Sequence, residues 1–124
     1  MSVFTDKWID EHKDELVEKL QQCVRINSVR DDGSTREGAP FGEGAAKCLE
    51  DTLNTAKAMG FEVKNLDGYC GTVDYGTGEE QLGILAHLDV VPEGEGWTYP
   101  PYAAEIHDGR LYGRGTMDDK GPAF

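Results

Sequence analysis

Between Thr5 and Val24 the apolar positions Trp8, Ile9, Leu16, Val17, Leu20, Cys23 and Val24 recur at helical spacing, although His12 and Lys13 interrupt the stripe. That pattern predicts an amphipathic helix whose apolar face packs on a sheet. Thr5 stands where an N-cap is expected, with Asp6 in the first turn. Periodicity then stops. From Ile26 to Gly42 the chain is rich in Ser, Asp, Gly and Pro and reads as a loop too long for a simple connector. Glu43 to Met59 is a second amphipathic stretch, with Ala45, Leu49, Thr52, Leu53, Ala56 and Met59 on one face and Gly60 at the expected left-handed cap.

Beyond Gly60 the period changes. Phe61–Leu66 and Tyr69–Tyr75 read as strands joined at Asp67-Gly68, a dipeptide that favours a tight hairpin. Gln81 to Leu88 is almost unbrokenly apolar, the mark of a strand covered on both faces. Tyr102 to Tyr112 reads as another hairpin around Asp108-Gly109, and Pro122 is placed to begin a helix. Helices alternating with a central apolar strand predict an α/β domain, a mixed sheet flanked by helices. Residues 1–124 read as one domain, with no internal repeat.

Charge narrows the function classes. Formal net charge is −12, which argues against nucleic acid and anionic membranes as partners, since both need a basic surface. No apolar run approaches the ~20 residues that a bilayer span needs. The first residues lack the basic-then-apolar pattern of a secretory signal, so a cytoplasmic protein is expected. The three cysteines, Cys23, Cys48 and Cys70, are widely spaced and form no C-x-x-C. Cys23 and Cys48 fall on apolar helix faces and are expected to be buried free thiols. Cys70 has no role legible in the sequence.

Two stretches carry candidate chemistry. In ILAHLDVVPEGEGW, His87 and Asp89 lie two apart at the end of the apolar run, so both point to one face. A metal-bound histidine gives its other ring N–H to a carboxylate, and His-x-Asp can supply both parts. On the tripeptide alone, a histidine satisfied by local hydrogen bonding at a strand end is the favoured reading. In LYGRGTMDDKGP, Asp118 and Asp119 are adjacent at a loop-to-helix junction. Neighbouring carboxylates repel and are tolerated where a cation or water screens them, and Lys120 offers a local counter-charge. Arg114 suits either a site carboxylate or a structural ion pair. Trp97 is expected to pack its loop, His12 to lie at the surface, and His107 to be solvated beside its turn.

The segments LAHLDVVPEGEGW and GRLYGRGTMDDKGP closely resemble the co-catalytic zinc metallopeptidase family, which includes aminoacylases, carnosinases and carboxypeptidase G. The form H-x-D-V-V-P followed by R-G-x-x-D-D-K-G-P is most similar to its peptidase V-type and carnosinase-type dipeptidases. SVRDDGSTREGAPFGEG resembles the loop of that branch, so the likeness runs from about Ile26 onwards. It implies a three-layer zinc-exopeptidase-like catalytic domain, of which this chain is the N-terminal portion. It also implies two Zn2+ per site, with Mn2+ or Co2+ as alternatives, and a dipeptide or N-acyl amino acid as substrate. His87 is then a metal ligand and Asp89 its catalytic carboxylate partner. Asp118 bridges the metals, and Asp119 follows it, often through a cis peptide. A register one residue different exchanges the roles of Asp118 and Asp119.

The family's glutamate base, its adjacent glutamate ligand, a further acidic ligand and a late histidine lie downstream of the D-x-K-G pattern and are not among these residues. Glu79-Glu80 precedes His87 in a turn and is not their equivalent. The expectation is therefore an N-terminal part of a metallo-dipeptidase, inactive alone and weak in zinc binding, with self-association through an exposed sheet edge. The competing expectation is a non-catalytic acidic α/β binding or assembly module that keeps the fold.

Overall fold

The computed structural model describes residues 3–124. Helix α1 (Val3–Val24) is followed by a short 3-10 turn (Asp32–Ser34) and helix α2 (Glu43–Ala58). Strands β1 (Glu62–Leu66) and β2 (Cys70–Asp74) come next, then β3 (Glu105–His107), β4 (Arg110–Tyr112) and helix α3 (Lys120–Ala123). Both predicted helices and both predicted hairpins form, and Pro122 lies within the single turn of α3. The arrangement is α/β.

Local chemistry explains the element ends. Helix α2 stops at Gly60, whose φ of 95° only glycine adopts cheaply. Gly60 N–H bonds the Lys57 carbonyl and Phe61 N–H bonds the Ala56 carbonyl, the paired bonds of a Schellman cap. The β1–β2 hairpin turns at Asp67 and Gly68, both at positive φ, with Glu62 opposite Asp74 and Leu66 opposite Cys70. Asp108 and Gly109 do the same for β3–β4, with His107 opposite Arg110. The first hairpin lies on α2, where Leu49 and Leu53 pack so closely over Gly71 that a side chain there would collide. The core is small: Cys23, Val24, Ala39, Cys48, Leu53, Val90 and Ala104.

Three expectations change. Helix α1 begins at Val3, so Thr5 lies inside its first turn instead of capping it. Its apolar stripe is buried only at the C-terminal end, at Cys23 and Val24, while Trp8, Ile9 and Leu16 stay exposed. Helices α2 and α3 touch α1, and no sheet covers the rest of its face among the described residues. The third change is the largest. Gln81–Leu88 forms no strand; Leu82 is 87% exposed, Ile84 85% and Leu85 99%. A central strand needs hydrogen-bonding neighbours on both sides. Here each hairpin pairs only within itself, giving two separate two-stranded antiparallel sheets in place of the expected mixed sheet. One parallel bridge, Val29 to Val90, is the remaining ladder contact of this region.

Candidate metal centre

That bridge positions the first motif. Val90 N–H donates to the Ser28 carbonyl at 3.3 Å, and the Ser28 hydroxyl donates to the Leu88 carbonyl at 2.6 Å. Ser28 is fully buried, so both bonds are shielded from water. The chain is thereby held on either side of Asp89, and His87 and Asp89 emerge together at the surface.

The second motif is packed by its glycines and its lysine. A side chain at Gly121 would run into the Thr116 carbonyl, and one at Gly115 (φ 93°) would lie 2.9 Å from Val90 Cγ1 and 3.1 Å from Lys120 Cδ. These two positions therefore require glycine for close approach as well as for turning. Lys120 is not the counter-charge to its aspartates that the sequence suggested. It is fully buried, and its Nζ donates to the carbonyls of Cys23 (3.0 Å) and Ile26 (2.7 Å). Those oxygens lie at the C-terminal end of α1, whose last turn carries no basic residue of its own. A cation from far along the chain thus satisfies the helix's terminal carbonyls and its negative dipole end.

With both motifs fixed, the four predicted site residues meet. His87 Nε2 lies 3.0 Å from Asp118 Oδ1. His87 Nδ1 lies 3.1 Å from Asp89 Oδ1 and 3.1 Å from the Asp89 carbonyl. The His87 backbone N–H donates to Asp119 Oδ2 at 3.1 Å, so Asp119 ties one motif to the other. The peptide between Asp118 and Asp119 is cis. Partial burial opposes the charged imidazole, but hydrogen bonds to Asp118 and to Asp89 outweigh it and raise the His87 pKa above the ordinary histidine value. A ring held by a carboxylate at Nδ1, with Nε2 facing another carboxylate, is chemically suited to share a divalent cation with it. The donor set is partial: among the described residues no group of three or more His, Cys, Asp and Glu side chains is gathered as a cation cage. A half-open cleft of about 390 Å3 lies beside His87 and Asp89, lined by Phe41, Leu49, Tyr69 and Leu88, with Arg30 among its walls.

The remaining candidates have structural partners. The Arg114 guanidinium donates to the carbonyls of Pro92 and Glu93 and lies over the Trp97 ring, 5.3 Å from its centroid. It pairs with no site carboxylate there; it braces the loop that follows Asp89, while Trp97 Nε1–H donates to the Glu93 carbonyl. His107 is half-buried, stacked on Tyr99 at 3.8 Å and 2.7 Å from Glu105 Oε2, contrary to the solvated position expected. His12 stacks on Trp8 at the surface. Cys23 and Cys48 are buried and free, as expected, and Cys70 is exposed. Sequence reasoning missed Ser28, a small polar residue in a polar loop that nothing local marks as a clamp.

Residues 83–124 match the Peptidase family M20/M25/M40. The chain is 47% identical over 112 residues to "Putative dipeptidase YtjP" of Bacillus subtilis (strain 168), covering 90% of this chain and 24% of that protein. It is 43% identical over 113 residues to the Beta-Ala-Xaa dipeptidase of Lactobacillus delbrueckii subsp. lactis, with the same coverage. In three dimensions it is similar to the crystal structure of human carnosine dipeptidase 1, with a TM-score of 0.69 and 27% identity over 94% of this chain and 27% of that one. The chain thus spans about a quarter of the length of the relatives it matches. Its site motifs lie in the segment, residues 83–124, that matches peptidase family M20/M25/M40, and over nine-tenths of its length the chain is similar in sequence to the two dipeptidases just named.

Proposed function

We propose that this chain contributes part of the metal centre of a dipeptidase, with His87 and Asp118 as ligands of a divalent cation, zinc in the first instance. The observation that carries the reading is the convergence of His87 Nε2 and Asp118 Oδ1 at 3.0 Å while Asp89 holds the opposite ring nitrogen. Asp89 acts as a positioning residue: by accepting Nδ1–H it leaves the Nε2 lone pair free for a metal and increases its donor strength. Asp119 holds the His87 backbone and is the alternative bridging carboxylate. A bound cation of this kind would acidify a water and polarise the scissile carbonyl. The chain's own task is to fix the two donors, while the apolar walls of the adjoining cleft receive a side chain of a dipeptide or N-acyl amino acid.

His87 and Asp118 are two donors, and stable zinc sites use three or four. The 124 residues alone are therefore proposed to bind zinc weakly and to be inactive, with the other ligands and the proton-accepting carboxylate supplied from elsewhere in the protein. A cytoplasmic location accompanies this reading; no helix of the described residues is long and apolar enough to cross a membrane.

The test uses the full protein that carries this chain. Metal content by native mass spectrometry and dipeptide hydrolysis are measured for the unaltered protein, His87→Ala and Asp118→Ala. Loss of bound metal together with loss of hydrolysis in both variants is expected. Retention of both in either variant would remove that residue from the centre. A protein that binds the cation but cleaves no dipeptide would favour the binding or assembly module.

A further inference from the structure

Against the segment that carries His87 and Asp89 lies a feature the hydrolytic reading does not use. Cys23, in the last turn of α1, and Cys48, on α2, come from positions 25 residues apart and meet with their Sγ atoms 3.6 Å apart. Both are fully buried and neither is in a disulfide. Their surroundings are polar where they touch the site. Cys48 Sγ lies 3.8 Å from the Leu88 carbonyl, between the two histidine-motif residues, and the Cys23 carbonyl accepts the Lys120 ammonium at 3.0 Å.

The geometry points to Cys23 and Cys48 as an oxidisable dithiol that closes to an internal disulfide under peroxide and whose state reaches His87 and Asp118 through Leu88 and Lys120. A disulfide holds its sulfurs about 2.05 Å apart, so the two sulfurs must approach by about 1.5 Å. The thiols are already in van der Waals contact, and the gap is a small displacement of two side chains that face each other. Electrostatics favour one sulfur as the first to react. With Cys23 as the donor of the thiol–thiol hydrogen bond, that bond lowers the Cys48 pKa against the opposing effect of burial, and the Lys120 charge acts in the same direction. The same hydrogen bond, with burial, raises the Cys23 pKa. Cys48 is then the nucleophile and Cys23 the resolving thiol.

The step balances with hydrogen peroxide as oxidant. The Cys48 sulfur attacks one peroxide oxygen, the O–O bond breaks, and the departing hydroxide takes a proton to become water, leaving Cys48 as sulfenic acid. Cys23 sulfur attacks Cys48 Sγ, the S–O bond breaks, and the leaving hydroxide takes the Cys23 proton. Two thiols and one peroxide give one disulfide and two waters. Peroxide is close to water in size, so only a small local opening of the packing around the thiols is needed for its entry.

Closure changes two contacts at the site. The Cys48 S–H that faces the Leu88 carbonyl is gone, and the Cys23 carbonyl that anchors Lys120 moves with its helix end. Leu88 adjoins His87, and Lys120 is two residues from Asp118. The dithiol is thus mechanically continuous with both motifs.

The experiment uses the full protein carrying a Cys70→Ala substitution, so that the exposed thiol cannot pair. It is treated with hydrogen peroxide, alkylated and digested, and its hydrogen–deuterium exchange is followed before oxidation, after it, and after dithiothreitol. A linked peptide containing Cys23 and Cys48 is expected, together with several-fold faster exchange in the peptides spanning 86–90 and 116–122. Both changes should reverse on reduction and be absent in Cys48→Ala. Free Cys23 and Cys48 after a peroxide dose that oxidises Cys70 in the unaltered protein would overturn the dithiol. A disulfide that leaves exchange at both segments unchanged would overturn the link to the site. Neither readout depends on hydrolysis, so the outcome is separate from that of the dipeptidase reading.

Discussion

Lys120 Nζ sits 2.7 Å from the Ile26 carbonyl, joining the residue after the aspartate pair to the loop that leaves helix α1, 94 positions earlier in the chain. The ammonium group is fully buried and its second bond, to Cys23, completes the α1 terminus. A hydrogen bond to a charged group contributes roughly 1.5–3 kcal/mol, and a buried carbonyl left without a donor carries its own desolvation cost. Lys120→Met, which keeps the aliphatic length, is expected to destabilise the protein by about 3 kcal/mol. Urea unfolding of both proteins checks this; an unchanged midpoint would mean that water replaces the ammonium at no cost.

Asp89 is 3.1 Å from His87 Nδ1, on the ring edge opposite Asp118. Asp89→Asn keeps an acceptor but removes the charge that strengthens the ring as a donor. Loss of such a partner typically weakens metal binding roughly 10–100-fold. Competition with a chromophoric chelator measures the affinity, and the same affinity in both proteins would leave Asp89 without a positioning role.

His87 titrates upward in the metal-free protein: burial opposes protonation, and the hydrogen bonds to Asp118 and Asp89 outweigh it. A raised folded-state pKa stabilises the fold fully below the unfolded value of about 6.5, and that contribution is lost as pH rises through the folded value. The ring resonances of His87 should therefore shift at a pH above an ordinary histidine, and Asp118→Asn should bring the midpoint down. Because the proton and the metal compete for Nε2, metal uptake is expected to weaken as pH falls and to release a proton on binding. An NMR titration with and without zinc reads both.

Leu82, Ile84 and Leu85 stand in solvent on a segment with no ladder partner. An unpaired apolar run offers its backbone groups and side chains to another chain. The 124-residue chain produced alone is expected to self-associate, and Leu85→Lys to shift it toward monomer. Sedimentation velocity over a concentration series decides; a monomer at every concentration would refute the association.

Much of this was legible beforehand because it rests on local rules. The α2 helix follows from its apolar period and Gly60, and both hairpins follow from Asp-Gly turns at Asp67-Gly68 and Asp108-Gly109. The candidate site residues were named from two motifs, His87 and Asp89 at the end of an apolar run read as a strand and the adjacent pair Asp118-Asp119; the structure brings His87 within hydrogen-bonding distance of Asp89 and Asp118 although that run forms no strand. Long-range partners were not legible. Nothing near Ser28 marks it as the clamp of Leu88, and Lys120 reads locally as a partner for its neighbouring aspartates. Arg114 and His107 likewise found partners in folded contact, at the Trp97 loop and at Tyr99.

By itself the sequence determined the helices, the turns and the acidic character, because these depend on side-chain type and spacing within a few residues; His87 and Asp118 as metal donors rested on the resemblance to a known family. Only the tertiary structure decided that His87 meets Asp118 at 3.0 Å, that Lys120 is buried under α1, and that Cys23 touches Cys48. It also decided that Gln81–Leu88 forms no strand here. The physical reason is common to all four: a strand, a buried cation and a shared ligand pair are each completed by groups distant in sequence, and their free energy exists only once those groups are brought together.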